Sequence, residues 1–430
     1  MGGIFEIIRN AWKIPDLRKK MFFTLIMVLI FRIGSYIPVP GMDPAKIKEI
    51  FEGGSIFGFF DIMSGGALAN ATIFAMSIAP YINASIIMQL LTVAIPKLEQ
   101  LAKEGEEGRK IIGQYIRYGT VVLGFLQATA LYFGMKAGGA IPNANALSYI
   151  TITLSFTAGT AFLMWLGEQI TEYGIGNGIS MLIFAGIVSR GPAGAYAIYI
   201  NQQQGNFGEG IFGILGLIGI ILVFVAVIAG VVFVQQAERR IPVQYAKRMV
   251  GRKVYGGQST HIPIKVNLAG VIPIIFAMSF VALPSTLVTF FWANSTHPVA
   301  EFFKNYQRNI WVAVISGLLV MFFTFFYTFI QFNPIEIANN MKKNGGFIPG
   351  IRPGKPTSDY IFKVLNRITW FSALFLALIQ MFPAIIAKVT NINGVWFAGT
   401  GVLIMVGVAL DTVKQIESQM LMRHYKGFLE

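Results

Sequence analysis

The sequence predicts an all-α membrane protein with ten transmembrane helices. Of its 430 residues, 55% are hydrophobic and 13% are charged, and the mean hydropathy is +0.63. Soluble domains carry about 25% charged residues, so this chain has too little polar surface for a fold exposed to water. Its apolar residues are gathered into blocks of about 17 to 25 residues, the length that a helix needs to cross a bilayer.

Ten apolar blocks are long enough to cross the membrane, the fifth and weakest only with its flanks. Several contain proline, for example Pro80 and Pro383, which membrane helices tolerate when neighbouring helices cover the freed carbonyl groups. The blocks cover residues 21–38, 73–95, 115–135, 147–167, 178–189, 211–234, 268–292, 310–332, 368–388 and 395–411.

The positive charge of the chain, +14 in total, is concentrated on one side of the predicted bundle. An even number of spans places both termini on the same side, and that side also carries most of the lysine and arginine. The positive-inside rule therefore predicts that both termini and the loops after spans two, four, six and eight are cytoplasmic. Residues 4–20 mix apolar and basic side chains, which suits a helix lying in the headgroup region.

A short apolar segment on the outer side, residues 53–66, does not fit a simple loop. It is too short to cross the membrane and too apolar to lie in water, and glycines flank it at both ends. One interpretation is an interfacial helix or a lid on the outer surface. The other is a re-entrant plug, because backbone that does not span is tolerated at membrane depth where it lines a cavity.

Two predicted cytoplasmic loops, residues 235–266 and 332–367, are long and basic. The first has seven basic residues against one acid. The second opens with Asn333, Pro334 and Glu336 in the order of a helix cap, and Gly345 can close that helix. Such loops can simply enforce topology and contact anionic lipids. Their length fits better with a docking surface for phosphate-rich or acidic partners.

The residues that an enzyme would need do not come together in this sequence. The three histidines, His261, His297 and His424, are far apart, there is no cysteine, and the spans hold no paired carboxylates. Pro356 follows Lys355 where a phosphate-binding loop needs Ser or Thr. The glycine-rich stretch 174–178 leads directly into a span and is interpreted as a helix entry. We therefore expect no catalytic residue, no metal site and no cofactor.

The near absence of charge within the spans favours a channel over a solute carrier. A secondary transporter usually carries several ionisable residues at the bilayer midplane, and Arg32 is the only clear candidate here. Arg32 is expected to reach the interface or to pair with another group. A secondary solute transporter remains the alternative, and a non-conducting assembly scaffold is a third possibility.

The chain resembles the SecY family of bacterial protein-conducting channels over nearly its whole length, and seven stretches carry the resemblance. None would be specific alone, but the set is. The stretches are SGGAL (64–68), PYINASIIMQLLT (80–92), LGEQITE (166–172), GIGNGIS (174–180), RRI (239–241), QSTHIP (258–263) and FIPGIRPG (347–354).

The resemblance implies two five-helix halves, residues 1–190 and 211–430, around a central hourglass pore, with residues 191–210 as the hinge loop. It also implies a re-entrant plug helix at about residues 54–68. The plug residues are Ile56, Phe57, Phe59, Phe60, Ile62, Met63, Gly65 and Gly66. The pore is expected to narrow at a ring of aliphatic side chains, namely Ile82, Ile86, Ile179, Ile183, Ile275 and Ile404.

By the same resemblance the channel opens sideways to lipid, with Thr92 and Asn267 at polar gate positions, though both can also be ordinary polar residues near span ends. The implied function is to translocate unfolded preproteins across the cytoplasmic membrane and to insert membrane proteins into it. The implied partners are the membrane subunits SecE and SecG, the motor ATPase SecA and the ribosome. The residues expected to dock SecA or the ribosome are Arg239, Arg240, Lys247, Arg248, Arg352 and Lys355.

Overall fold

The described part of the chain is mostly helical. The structure, a computed structural model, describes residues 4–47, 61, 64–203, 211–245, 248–250, 253–255, 259–291, 310–390 and 400–426. Up to residue 203 the helices are α1 (Ile4–Lys13), α2 (Pro15–Gly34), α3 (Ala79–Ala94), α4 (Pro96–Lys103), α5 (Glu106–Ala137), α6 (Ala146–Tyr173), α7 (Gly178–Ser189) and α8 (Gly191–Gln203).

The second part of the chain adds six helices and five short strands within the described residues. The helices are α9 (Ile211–Gln236), α10 (Ile272–Phe291), α11 (Ile310–Gln331), α12 (Pro334–Lys343), α13 (Lys355–Thr390) and α14 (Thr400–Lys426). The strands are β1 (Glu238–Tyr245), β2 (Arg248–Val250), β3 (Lys253–Tyr255), β4 (Ser259–Lys265) and β5 (Gly346–Phe347).

Six helical stretches of the described residues are long and apolar enough to cross a membrane. The number rises to seven if α3 and α4, which meet at a bend of 102°, are counted as one span. The three other predicted spans correspond to helices α2, α10 and α14. Length and composition thus support six or seven membrane spans among the described residues, and the total of ten spans stays a prediction.

Two predicted spans begin later than the hydropathy suggests. The second, predicted from residue 73, becomes helical only at Ala79, and the seventh, predicted from residue 268, only at Ile272. The second residue of each helix is a proline, Pro80 or Pro273. Proline lacks an N–H and has a fixed φ, so it suits the first turn of a helix, where that N–H has no partner.

The expected hinge loop, residues 191–210, is partly helical. Helix α8 covers Gly191–Gln203, and residues 204–210 lie outside the described residues. The sequence GPAGAYAIYI is rich in alanine and has its proline at the second position of the helix, and both features favour helix formation. A hinge role for this region remains a prediction.

The prediction of an entirely helical chain misses the strands of the two basic loops. Strand β1 pairs antiparallel with β4 in the same loop and with β5 from the loop after α11, in the order β4-β1-β5. Ile241 and Val243 of β1 are buried with Met341 of α12 and Leu365 of α13. The two loops therefore form one small folded unit.

The helix predicted after Asn333 is present and has the predicted start. The Asn333 side chain accepts hydrogen bonds from the N–H groups of Ile335 (3.1 Å) and Glu336 (3.4 Å). Gly345 follows the end of the helix with φ +70°, a left-handed conformation that favours glycine. At the other end of the chain, α1 packs its apolar face on α14 and α2, in a cluster that includes Ala11, Leu17 and Ile416.

Candidate functional site

The six isoleucines of the expected ring come from four helices and lie in two adjoining apolar clusters. Ile86 of α3 packs with Ile275 of α10 in one cluster, and Ile183 of α7 packs with Ile404 of α14 in the other. Ile82 touches both clusters. Ile86, Ile183 and Ile404 are only 6%, 5% and 3% exposed, and Ile82, Ile179 and Ile275 are partly buried.

The spacing of the ring residues follows from helix geometry. Ile82 and Ile86 are four residues apart on α3, and so are Ile179 and Ile183 on α7. Residues four apart share one face of a helix, so each pair points the same way. The next residue on α3, Ile87, is 46% exposed, so the two sides of this helix differ sharply.

The glycine-rich stretch before α7 sets the position of that helix, as the sequence predicts. The Asn177 side chain caps it by accepting a hydrogen bond from the Ser180 N–H at 3.1 Å. The Gly178 N–H donates to the hydroxyl of Thr171 at 2.8 Å. A Cβ at Gly178 would lie 1.9 Å from the carbonyl oxygen of Gly167 in α6, so only glycine fits this approach.

The segment expected to contain the plug is described only at Asp61 and from Ser64 onward. Six of the eight expected plug residues, namely Ile56, Phe57, Phe59, Phe60, Ile62 and Met63, lie outside the described residues. Gly65 and Gly66 lie in a turn and have φ values of +67° and +91°. Ala67, which follows them, is fully buried in the same cluster as Ile183 and Ile404.

Two arginines hold this glycine turn, which we define as residues 64–70. Arg32 of α2 donates to the carbonyl oxygen of Gly65 at 3.0 Å and to the hydroxyl of Ser189 at 3.1 Å. Arg190, at the end of α7, forms an ion pair with Asp61. From the sequence, Arg32 is expected to reach the interface or to pair with another group, but Asp61 and Arg190 are not identified, because nothing in the local pattern joins positions so far apart in the chain.

The two expected gate residues make hydrogen bonds to different neighbours. The Thr92 hydroxyl donates to the Gln89 carbonyl oxygen of its own helix at 2.7 Å. Asn267 is buried, donates to the Gly270 carbonyl oxygen at 3.2 Å and accepts from the Ser372 hydroxyl of α13 at 3.3 Å. Asn267 therefore ties the start of α10 to α13, while α10 also packs against α5.

The expected docking residues lie on the small folded unit of the basic loops. Arg239, Arg240, Arg352 and Lys355 are all exposed, and Arg240 pairs with Glu238 at 2.6 Å. Arg248 lies in β2, and Lys247 lies outside the described residues. Because β5 joins β1, the segment that leads to Arg352 is attached to the strand that carries Arg239 and Arg240. The structure thus gathers basic residues from two loops on one unit.

The chain is similar over its whole length to known channel subunits. The Protein translocase subunit SecY of Halalkalibacterium halodurans is 51% identical over 435 residues, which cover 99% of this chain and 100% of that protein. A solved structure described as a protein conducting channel superposes with a TM-score of 0.65 at 22% identity and covers 96% of this chain and 97% of its own.

A second solved structure has the same fold. It is Sec61 in the canine ribosome-channel complex from the endoplasmic reticulum, with a TM-score of 0.61 at 20% identity, and it covers 96% of this chain and 97% of that chain. The family model described as SecY matches residues 72–413, which is most of the sequence. The chain therefore belongs to the SecY family of protein translocase subunits.

Proposed function

We propose that this member of the SecY family conducts unfolded polypeptides across the cytoplasmic membrane and releases membrane-spanning segments sideways into lipid. The observation that carries the proposal is the set of six isoleucines, which four helices from both parts of the chain bring together. In this conformation Ile86, Ile183 and Ile404 are almost completely buried. The arrangement supports a constriction that is shut at rest.

An apolar constriction suits a channel with chemically varied cargo. A narrow ring of aliphatic side chains excludes water and so blocks ions. It offers no hydrogen bond or charge to hold a passing chain, so a polypeptide of any sequence meets a similar barrier. The ring isoleucines come from separate helices, so a modest separation of those helices would widen the ring.

The plug and the sideways gate complete the proposed channel. The plug consists of residues 54–68, whose glycine turn rests on α7 and on the cluster that contains Ile183. The gate lies where α3 and α5 face α10 and α11, and the packing of α5 on α10 supports this position. Thr92 and Asn267 line it in this proposal, and Asn267 then acts through its bond to Ser372.

The cytoplasmic unit is the proposed docking surface for the motor ATPase SecA and for the ribosome. Its exposed arginines and lysines suit the phosphates of ribosomal RNA and acidic protein surfaces. We assign α9, whose Ile221, Leu222 and Phe233 are largely exposed, to contact with lipid and with the small subunits SecE and SecG. The basic residues near the span ends also fit anionic lipid headgroups.

The proposed topology has ten spans and cytoplasmic termini. Helices α2, α10 and α14 supply the three spans beyond the seven that length and composition identify. The distribution of lysine and arginine supports cytoplasmic positions for both termini and for the docking unit. The competing function, a secondary solute transporter, would need ionisable groups that hold a solute at the centre, where this chain has isoleucine.

Replacing a ring isoleucine tests the constriction. Ile86→Ser and Ile183→Ser should raise the resting ion conductance of the purified chain in planar bilayers about tenfold or more, because a hydroxyl lets water enter the ring. The matched control is Ile87→Ser, the same change at the exposed neighbour of Ile86. A resting conductance of both ring variants equal to that of the control would remove these isoleucines from the constriction.

A further inference from the structure

The carboxylate of Asp61 is a buried charge that the proposed conduction pathway does not use. Only 7% of the surface of Asp61 is exposed. One carboxylate oxygen, Oδ2, pairs with Arg190, and the other, Oδ1, accepts a hydrogen bond from the Ala69 N–H at 2.9 Å. Its main-chain oxygen accepts from the Gly66 N–H at 2.9 Å. Asp61 therefore ties both ends of the glycine turn to each other and to the end of α7.

Arg32 makes a second connection to the same turn from a different helix. One guanidinium nitrogen, Nη1, bridges the Gly65 carbonyl oxygen and the Ser189 hydroxyl, and Nη2 donates to the Tyr36 hydroxyl at 2.6 Å. The Ser189 hydroxyl in turn donates to the Gly186 carbonyl oxygen at 2.7 Å. Helix α2, the glycine turn and the end of α7 thus converge on one polar junction.

The two glycines let the turn lie directly on this junction. A Cβ at Gly65 would lie 2.7 Å from the Ser189 hydroxyl oxygen and 3.2 Å from the Gly186 Cα. A Cβ at Gly66 would lie 3.4 Å from the Nε of Arg190. Both glycines also have positive φ, which other residues rarely adopt. The turn therefore fits the junction closely in space and in backbone conformation.

We propose that the Asp61–Arg190 ion pair, with the Arg32–Gly65 hydrogen bond, is a polar latch that holds the glycine turn, the described end of the proposed plug, against α2 and α7. The inference rests on the proposed function, because it takes residues 54–68 as the plug. Breaking a largely buried ion pair leaves an uncompensated charge, which is strongly unfavourable. Moving Asp61 away would also leave Arg190 at the junction with Arg32 but without its carboxylate, so like-charge repulsion opposes opening and favours return of the turn.

The glycine turn that the latch holds shares an apolar cluster with residues of the ring. Ala67 belongs to the glycine turn and is buried in the cluster that contains Ile183 and Ile404. Displacement of the turn would therefore remove an apolar contact from two ring helices at once. The latch should set how often the resting channel opens without altering the ring itself.

Charge neutralisation and charge exchange test the latch. Asp61→Asn and Arg190→Gln should each raise the resting conductance of the purified chain about fivefold or more, because each leaves one buried charge unpaired. The exchange variant, Asp61→Arg with Arg190→Asp, should return the conductance toward the original value. The control is Asp43→Asn, an acid in the same outer loop whose side chain accepts a hydrogen bond from the nearby Ala45 N–H, and it should change nothing.

A second readout does not depend on conduction. The chain has no cysteine, so Ser64→Cys places a single thiol in the fully buried part of the turn. A membrane-impermeant maleimide should label it slowly in the original background and about fivefold faster with Arg190→Gln, because an open latch exposes it. Preprotein transport by the original chain in the same vesicles tests the proposed function separately. Intact transport with unchanged conductance and labelling would overturn the latch alone.

Discussion

At the scale of single residues, a few close contacts decide where the ring side chains lie. Gly178 starts α7 against the backbone of α6, so the helix that carries Ile179 and Ile183 enters the bundle at one fixed position. Asn177 and Thr171 accept hydrogen bonds from N–H groups in the first turn of α7, which have no partner within the helix. The hydrogen bonds and the close backbone contact at the start of α7 thus fix where the isoleucines of the proposed ring lie.

Gly178→Ala tests this dependence. The added methyl group would meet the Gly167 carbonyl oxygen, so we expect the free energy of unfolding to fall by about 1–3 kcal/mol. Gly113→Ala on α5 is the control, because a Cβ there meets nothing within 4 Å, and it should be neutral or slightly stabilising. Thermal unfolding in detergent measures both, and equal midpoints for the two variants would contradict this view of Gly178.

At the scale of elements, the two basic loops act as one unit because a single strand joins them. Strand β1 buries Ile241 and Val243 and pairs with β4 and β5, which fixes the two loops to each other. Successive side chains of a strand point to opposite faces, so Arg239 and Arg240 do not share a face of the sheet. A partner that docks on one face of the sheet would therefore contact only one of these two arginines.

Arg352→Glu tests the docking surface. Reversing this exposed charge should lower motor-driven preprotein transport in reconstituted vesicles about fivefold or more, because it turns attraction for an acidic partner into repulsion. The control is Lys136→Glu, at an exposed residue in the last turn of α5. It makes the same change in net charge and should leave transport unchanged. Equal transport by the two variants would exclude Arg352 from the docking surface.

The elements could be predicted from sequence where local chemistry decides them. Apolar blocks gave most membrane helices, and Asn333 with Pro334 gave the start of α12. Strand β1 was missed because its buried residues, Ile241 and Val243, lie in a charged loop and gain their partners only from α12 and α13. The Asp61 and Arg190 contact was missed for a similar reason, since only the folded chain brings the two residues together.

At the scale of the whole molecule, the proposed ring is one of the places where the two parts of the chain meet. Ile404 of α14 lies in one apolar cluster with Ile183 of α7, and Ile275 of α10 lies in the other with Ile86 of α3. The glycine turn and its arginines lie against the same helices through Ala67 and Ser189. Relative movement of the two parts would therefore widen the proposed ring, and the shared cluster of Ala67 and Ile404 would link that movement to the proposed latch.

The most direct test of the account is to ask what touches the ring during transport. A photoreactive residue replaces Ile183, which is 5% exposed at rest, or Val188 on the same helix, which is 41% exposed. A preprotein stalled during transport should crosslink strongly at position 183 and weakly at position 188. Crosslinks from position 183 to lipid alone, or equal preprotein crosslinks at both positions, would contradict a polypeptide path through the isoleucine ring.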